Sequence, residues 1–65
     1  MIYLKDGGAL IIADEVKVKW EKIYPKANLE KVLNDLNKTG VFAKCTQRKA
    51  LKLINEYLKE ENKGG

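Results

Sequence analysis

TQRKALKLINEYL, residues 46–58, is the stretch that decides the fold, because its aliphatic residues recur at helical spacing. Thr46 is a residue type that caps helix N-termini, and the pattern after it predicts a helix over about residues 47–61. One face of this helix is apolar and should pack against the rest of the chain. The residues that define this face are Leu51, Ile54 and Leu58, widened by Ala50, Leu53 and Tyr57.

Two shorter amphipathic helices precede this stretch, at about residues 14–24 and 29–39. Asp14 and Asn28 are residue types that favour helix N-caps, so they mark the two starts. Pro25 ends the first helix, since a proline disfavours helical backbone at the residue before it. The stripe of the first helix that should face the core consists of Val16, Trp20, Ile23 and Tyr24.

The N-terminal residues 2–12 form two apolar runs around an Asp-Gly-Gly sequence at positions 6–8. Such a sequence accepts the positive φ angles of tight turns, which predicts a β-hairpin that packs on the helices. The predicted fold class is therefore mainly α, a small α+β fold with an N-terminal β-hairpin followed by a compact three-helix domain. We expect a single domain at 1–62 and a disordered tail at 63–65.

The composition argues against catalysis and against a bound metal or cofactor. The chain has 65 residues and no histidine, and Cys45 is its single cysteine. An intrachain disulfide and a zinc site of the usual kind are therefore excluded. The carboxylates lie next to lysines on helix surfaces, where no desolvated acid–base pair is expected. We expect a protein that is not an enzyme and has no catalytic residue, metal site or cofactor.

The chain also lacks the sequence features of a membrane protein. No apolar run approaches the roughly 18 residues of a membrane-spanning helix, so we expect no membrane contact. The single thiol fits a reducing compartment, which predicts a cytoplasmic location. We expect a monomer or a weak homodimer, the latter through the edge of the hairpin.

The net charge of +4 and the pI near 9.3 favour an acidic partner, either DNA or an acidic protein surface. On a helix with about 100° per residue, Arg48, Lys52 and Lys59 lie within about 60° of one another, and such a line of cations can follow phosphates. Asn55 falls in the same arc. The alternative is a solvated face on which Glu56 pairs with the two lysines. The candidate contact residues are Lys44, Thr46, Arg48, Lys49, Lys52 and Lys59.

Aromatic side chains offer a second candidate contact surface. Tyr3, Tyr24 and Phe42 would form a rim that meets a protein partner. Trp20, by contrast, falls at helical spacing with other apolar residues and is interpreted as core.

Two segments carry a resemblance to a known family: WEKIYP at residues 20–25, and the spacing of residues 46–58. Their order resembles a module of phage and prophage replication proteins. There the module forms the C-terminal part of replisome-organiser or helix-turn-helix initiator proteins. The resemblance covers roughly residues 4–61. Tyr57 stands where the family usually has Trp, and Lys44 is what remains of a basic stretch before the third helix.

The resemblance implies a phage-type replication accessory that contacts DNA or a replisome component, with Lys44, Thr46 and Arg48 as contacts. The leading hypothesis is therefore a non-enzymatic module associated with DNA replication, which contacts nucleic acid or a replisome partner through the basic helix face. The alternative is a protein–protein adaptor or an inhibitor of a host protein, such as a small phage anti-host or anti-defence protein.

Overall fold

Three α-helices and one short 3₁₀ helix build the fold over residues 2–64, the part of the chain that the computed structural model describes. In chain order they are α1, Asp14–Ile23; α2, Leu29–Thr39; the 3₁₀ helix, Val41–Lys44; and α3, Gln47–Gly64. The mainly α class predicted from the sequence is confirmed. Helix α2 packs against both α3 and the 3₁₀ helix. Across residues 2–64, no helix has the length and apolarity that a membrane-spanning segment needs.

Local sequence explains where the helices begin. The Asn28 side chain accepts a hydrogen bond from the Lys31 N–H at 3.2 Å, as an N-cap does. Thr46 acts in the same way for α3, where its hydroxyl accepts from the backbone N–H three residues later at 3.4 Å. Asp14 is not an N-cap, because Ala13 occupies that position. Asp14 lies instead in the first turn of α1, beside the positive end of the helix dipole.

The helix ends differ slightly from the sequence-based bounds. Helix α3 continues to Gly64, into the stretch 63–65 that the sequence assigns to a disordered tail. The last residue of that stretch lies outside the described residues. Helix α1 stops at Ile23, because Tyr24 precedes Pro25 and leaves helical backbone with φ −123° and ψ 67°.

The predicted N-terminal β-hairpin is wrong, because residues 2–64 contain no β-strand. The turn at its centre does form, and Gly7 has the positive φ of 86° that the turn requires. Tyr3 and Ala9 make a single antiparallel bridge across this turn. Because that bridge is isolated, the Asp-Gly-Gly sequence at positions 6–8 signals a turn and not a hairpin.

Backbone groups on the outer side of the N-terminal segment bond to residues near the start of α3. The Lys5 N–H donates to the Cys45 carbonyl at 3.0 Å. The Gln47 side-chain amide accepts from the Ile11 N–H at 3.1 Å and donates to the Ile11 carbonyl, an arrangement that we call the Ile11–Gln47 clamp. A short two-stranded hairpin is marginal in water, so these bonds decide the path of the N-terminal segment.

The buried side chains form one core to which every helix contributes. Ala50 and Ile54 of α3 are fully buried, and Trp20 is the buried residue of α1. Ile23 and Tyr57, which helical spacing places near the core, are 48% and 46% exposed because they lie at the edges of their stripes. The complete buried set is Leu4, Trp20, Val32, Leu36, Phe42, Cys45, Ala50, Ile54 and Leu58.

Candidate functional site: the basic face of the third helix

The six contact residues proposed from the sequence are all exposed. Lys44 ends the 3₁₀ helix and Thr46 caps α3, so these two lie at the start of the surface. The remaining four follow along α3. We call this surface the basic face, and its residues are Lys44, Thr46, Arg48, Lys49, Lys52 and Lys59.

The packing of α3 fixes the direction of the basic face. Ala50 and Ile54 are fully buried, and Lys52 lies about 160° around the helix from each of them at about 100° per residue. Arg48 and Lys59 fall within about 40° of Lys52 on the same side. From Arg48 to Lys59 this line of cations extends about 16 Å along the helix axis. Because Ala50 and Ile54 keep one side of α3 in the core, Arg48, Lys52 and Lys59 form a row on the opposite side, which faces solvent.

None of these cations has an ion-pair partner in the described part of the chain. The salt bridge found within residues 2–64 joins Lys31 of α2 to Glu61 of α3 at 3.6 Å. Glu56, which the solvated-face alternative pairs with Lys52 and Lys59, forms no salt bridge with either of them there. Across residues 2–64, the cations of the basic face are therefore not held in salt bridges.

At the N-terminus of α3, the charged side chains have the sign that the helix dipole disfavours. Helix α1 has two acidic residues in its first turn and α2 has one, and each has a lysine in the last turn, which stabilises both helices. Helix α3 has no acidic residue in its first turn, where Arg48 and Lys49 lie instead. Cations at this position do not stabilise the helix through its dipole.

Polar contacts on one flank of α3 hold it against the end of α1 and the loop that follows. The Tyr24 hydroxyl donates to Asn55 Oδ1 at 3.1 Å. The Lys26 N–H donates to Asn62 Oδ1 at the same distance. Asn55, which helical spacing groups with the basic cations, is half-buried by this contact and does not belong to the exposed basic face.

Lys5 is a contact candidate that sequence reasoning missed. Its N–H bonds to the carbonyl of Cys45, the residue between Lys44 and Thr46, and its side chain is exposed. This places a further cation near the start of the basic face. No local signal could reveal it, because Lys5 and Cys45 are brought together only by the docking of the N-terminal segment.

The aromatic rim proposed from the sequence is not formed. Phe42 is 1% exposed, because the 3₁₀ helix turns it into the core. Tyr24 is half-buried and bonded to Asn55, whereas Tyr3 is 60% exposed on the N-terminal segment. One exposed tyrosine remains of the three proposed residues, so these positions do not make a continuous aromatic surface.

A groove of about 570 Å³ lies between α1 and α2, and it was not anticipated from the sequence. Trp20 and Leu58 are buried and form its base. Tyr24, Leu29 and Leu33 line it and are half-buried. The apolar stripes of α1 and α2 are visible in the sequence, but the angle at which the two helices leave this space open is not.

Within residues 2–64, no group of three or more acidic, cysteine or histidine residues is placed to hold a metal ion. In comparisons with known proteins, the chain shows no significant match to a protein-family model, to a curated protein or to a solved structure.

Proposed function

We propose that this chain is a non-enzymatic binding module that contacts nucleic-acid phosphates through the basic face of α3. The observation that supports this proposal best is the line of Arg48, Lys52 and Lys59, which are exposed and have no salt-bridge partner within residues 2–64. A line of cations that is not held in salt bridges can contact several phosphates of one strand.

The proposed mechanism is electrostatic and independent of nucleotide sequence. Lysine and arginine side chains displace the counterions that surround nucleic acid, and the released ions provide the free energy of binding. Arg48 adds a planar donor group that can bond two phosphate oxygens at once. The Thr46 end of the face adds the positive end of the α3 dipole. With about three phosphates contacted, log K should fall with log salt at a slope near −3.

The setting that we propose for this activity is DNA replication of the phage type. Its support is the resemblance of residues 20–25 and 46–58 to the replication module described above. In that setting the basic face contacts DNA directly. A competing partner for the same cations is an acidic surface of a replisome component.

Titration of labelled single- and double-stranded DNA at several salt concentrations tests the proposal. We expect the double variant Arg48→Glu with Lys52→Glu to reduce affinity at low salt by at least about tenfold, and to flatten the salt dependence. Circular dichroism should show unchanged helix content, because both side chains are exposed.

A control variant of equal charge separates the basic face from net charge. Lys19→Glu with Lys22→Glu reverses two exposed cations on α1 that belong to neither the basic face nor the groove. This variant should retain most of the affinity. The proposal fails if the control loses as much affinity as the α3 variant, or if binding to DNA does not weaken with salt.

The alternative function, a protein–protein adaptor or inhibitor, is favoured by a different observation. The aromatic rim that suggested it from the sequence is absent, but the groove between α1 and α2 provides an apolar surface of suitable size.

A further inference from the structure

The groove between α1 and α2 has the composition of a site for an apolar side chain. Trp20 and Leu58 form its base and are buried in the core, whereas Leu29 and Leu33 on the α2 side are half-buried. A volume of about 570 Å³ exceeds that of any single side chain and falls in the range of ligand sites. Burial of the half-exposed leucines by a partner would release further hydrophobic free energy.

Charged residues at the rim define the chemistry of the occupant. Glu21 of α1 and Glu30 of α2 both line the groove, are exposed, and form no salt bridge within residues 2–64. Among residues 2–63, Lys17 is the one cation that lines it, and it lies one helical turn before Glu21. The rim therefore has two carboxylates and one ammonium group. Its net charge is negative, although the net charge of the whole chain is +4.

We propose that this groove binds a peptide segment of a protein partner, which inserts an aliphatic side chain and carries lysine or arginine beside it. The inserted side chain packs on Trp20 and Leu33, and the cation lies between Glu21 and Glu30. Nucleic acid is not the occupant, because the two carboxylates would repel its phosphates.

This site is separate from the basic face. The groove residues belong to α1, α2, the loop that joins them and the buried side of α3, whereas the basic face belongs to the exposed side of α3 and the residues just before it. The chain can therefore hold a basic protein segment and an acidic ligand at the same time. The inference goes beyond the proposed nucleic-acid contact and does not depend on it, since the two sites share no residue.

Two synthetic amphipathic helices test the proposal as probes. They share one stripe of leucines spaced to face a groove; one carries lysines beside the stripe and the other carries glutamates. Each is titrated into isotope-labelled protein while backbone amide signals and the Trp20 indole signal are recorded by NMR. We expect the lysine peptide to shift the signals of Trp20, Tyr24, Leu29 and Leu33, and to bind about tenfold more tightly than the glutamate peptide. This preference opposes the net charge of the protein, which alone would favour the glutamate peptide.

Charge-reversal variants locate the preference. Glu21→Lys with Glu30→Lys should invert it, so that the glutamate peptide binds more tightly. Glu15→Lys with Asp35→Lys is the matched control, because it makes the same change in net charge, likewise includes a first-turn acid, and alters no groove residue. The control should still prefer the lysine peptide.

Several outcomes would overturn the proposal. The first is equal affinity for the two peptides. The second is a change in the NMR signals of the basic face and not in those of the groove. The third is that neither peptide shifts the groove signals at millimolar concentration. Concentration-dependent shifts of the groove signals without peptide would assign the groove to a second copy of the chain and would also overturn it. The DNA titration tests the residues of the basic face, so its result does not depend on the result for the groove.

Discussion

Gly40 shows how one residue can determine the connection between two elements. It ends α2 in the left-handed conformation, with φ 76° and ψ 9°. A Cβ atom at this position would meet no atom within 4 Å, so glycine is required for its backbone conformation and not for space. The Ala43 N–H then donates to the Gly40 carbonyl at 3.2 Å, which begins the turn that carries Phe42 into the core. Gly40 therefore links the end of α2 to the burial of the largest fully buried side chain.

Gly40→Ala should destabilise the protein by about 1–2 kcal/mol, since an L-residue with a Cβ disfavours the left-handed conformation by that amount. Gly40→Asn should cost less, because asparagine tolerates this conformation better. Urea denaturation followed by circular dichroism measures both changes. If the alanine variant is as stable as the parent chain, the connection does not require the positive φ described here.

At the scale of the element, the three helices differ in how their charges relate to their dipoles. Helices α1 and α2 follow the stabilising arrangement at both ends. Helix α3 does not follow it at its N-terminus, where Arg48 and Lys49 lie next to the positive end of the dipole. This difference predicts that stability and nucleic-acid affinity respond in opposite directions to one substitution.

Lys49→Glu should raise the free energy of unfolding by about 0.3–1 kcal/mol, because it places an anion at the start of α3. The same change should weaken DNA binding, because it removes a cation from the basic face. Lys59→Glu is the comparison, since it lies far from the helix N-terminus and should weaken binding without the gain in stability. Thermal denaturation and DNA titration of both variants check this, and a loss of stability in Lys49→Glu would contradict the dipole argument.

The elements differ in how far the sequence predicts them. The helices can be predicted because the apolar residues of each helix recur at helical spacing within that helix. The Asn28 and Thr46 caps can be predicted because each side chain accepts a hydrogen bond from a backbone N–H only three residues later. The N-terminal hairpin is wrong because pairing across the turn stops at one isolated bridge. The segment is instead bonded through Ile11 to Gln47, 36 positions later, and no local pattern shows that contact. The groove could not be predicted from the sequence either, because it depends on how α1 and α2 pack in space.

At the scale of the whole molecule, a domain of 65 residues has little stability in reserve. Its net free energy of unfolding should be roughly 3–10 kcal/mol by the usual value per residue. The N-terminal segment contributes to it, because Leu4 is 6% exposed and belongs to the core although it lies outside every helix. The segment is therefore part of the folded domain and not an appendage to the three helices.

Leu4→Ala should cost about 2–5 kcal/mol, the range for removal of a buried leucine side chain. Ile11→Ala in the same segment should cost much less, because Ile11 is 71% exposed. The midpoint of urea denaturation measures the difference. Equal effects of the two substitutions would show that the segment does not dock through Leu4.

The Ile11–Gln47 clamp also implies an order of events in folding. Helices form within microseconds from local contacts, whereas a contact between residues 36 positions apart must first close a long loop. The N-terminal segment should therefore dock after the helices have assembled, and it should be the first part of the native protein to open. Its departure removes Leu4 from the core and breaks the bond between Lys5 and Cys45. Cys45 is 4% exposed and lies in the same core as Leu4, so we expect the alkylation rate of its thiol to follow the opening of this segment before the helices unfold.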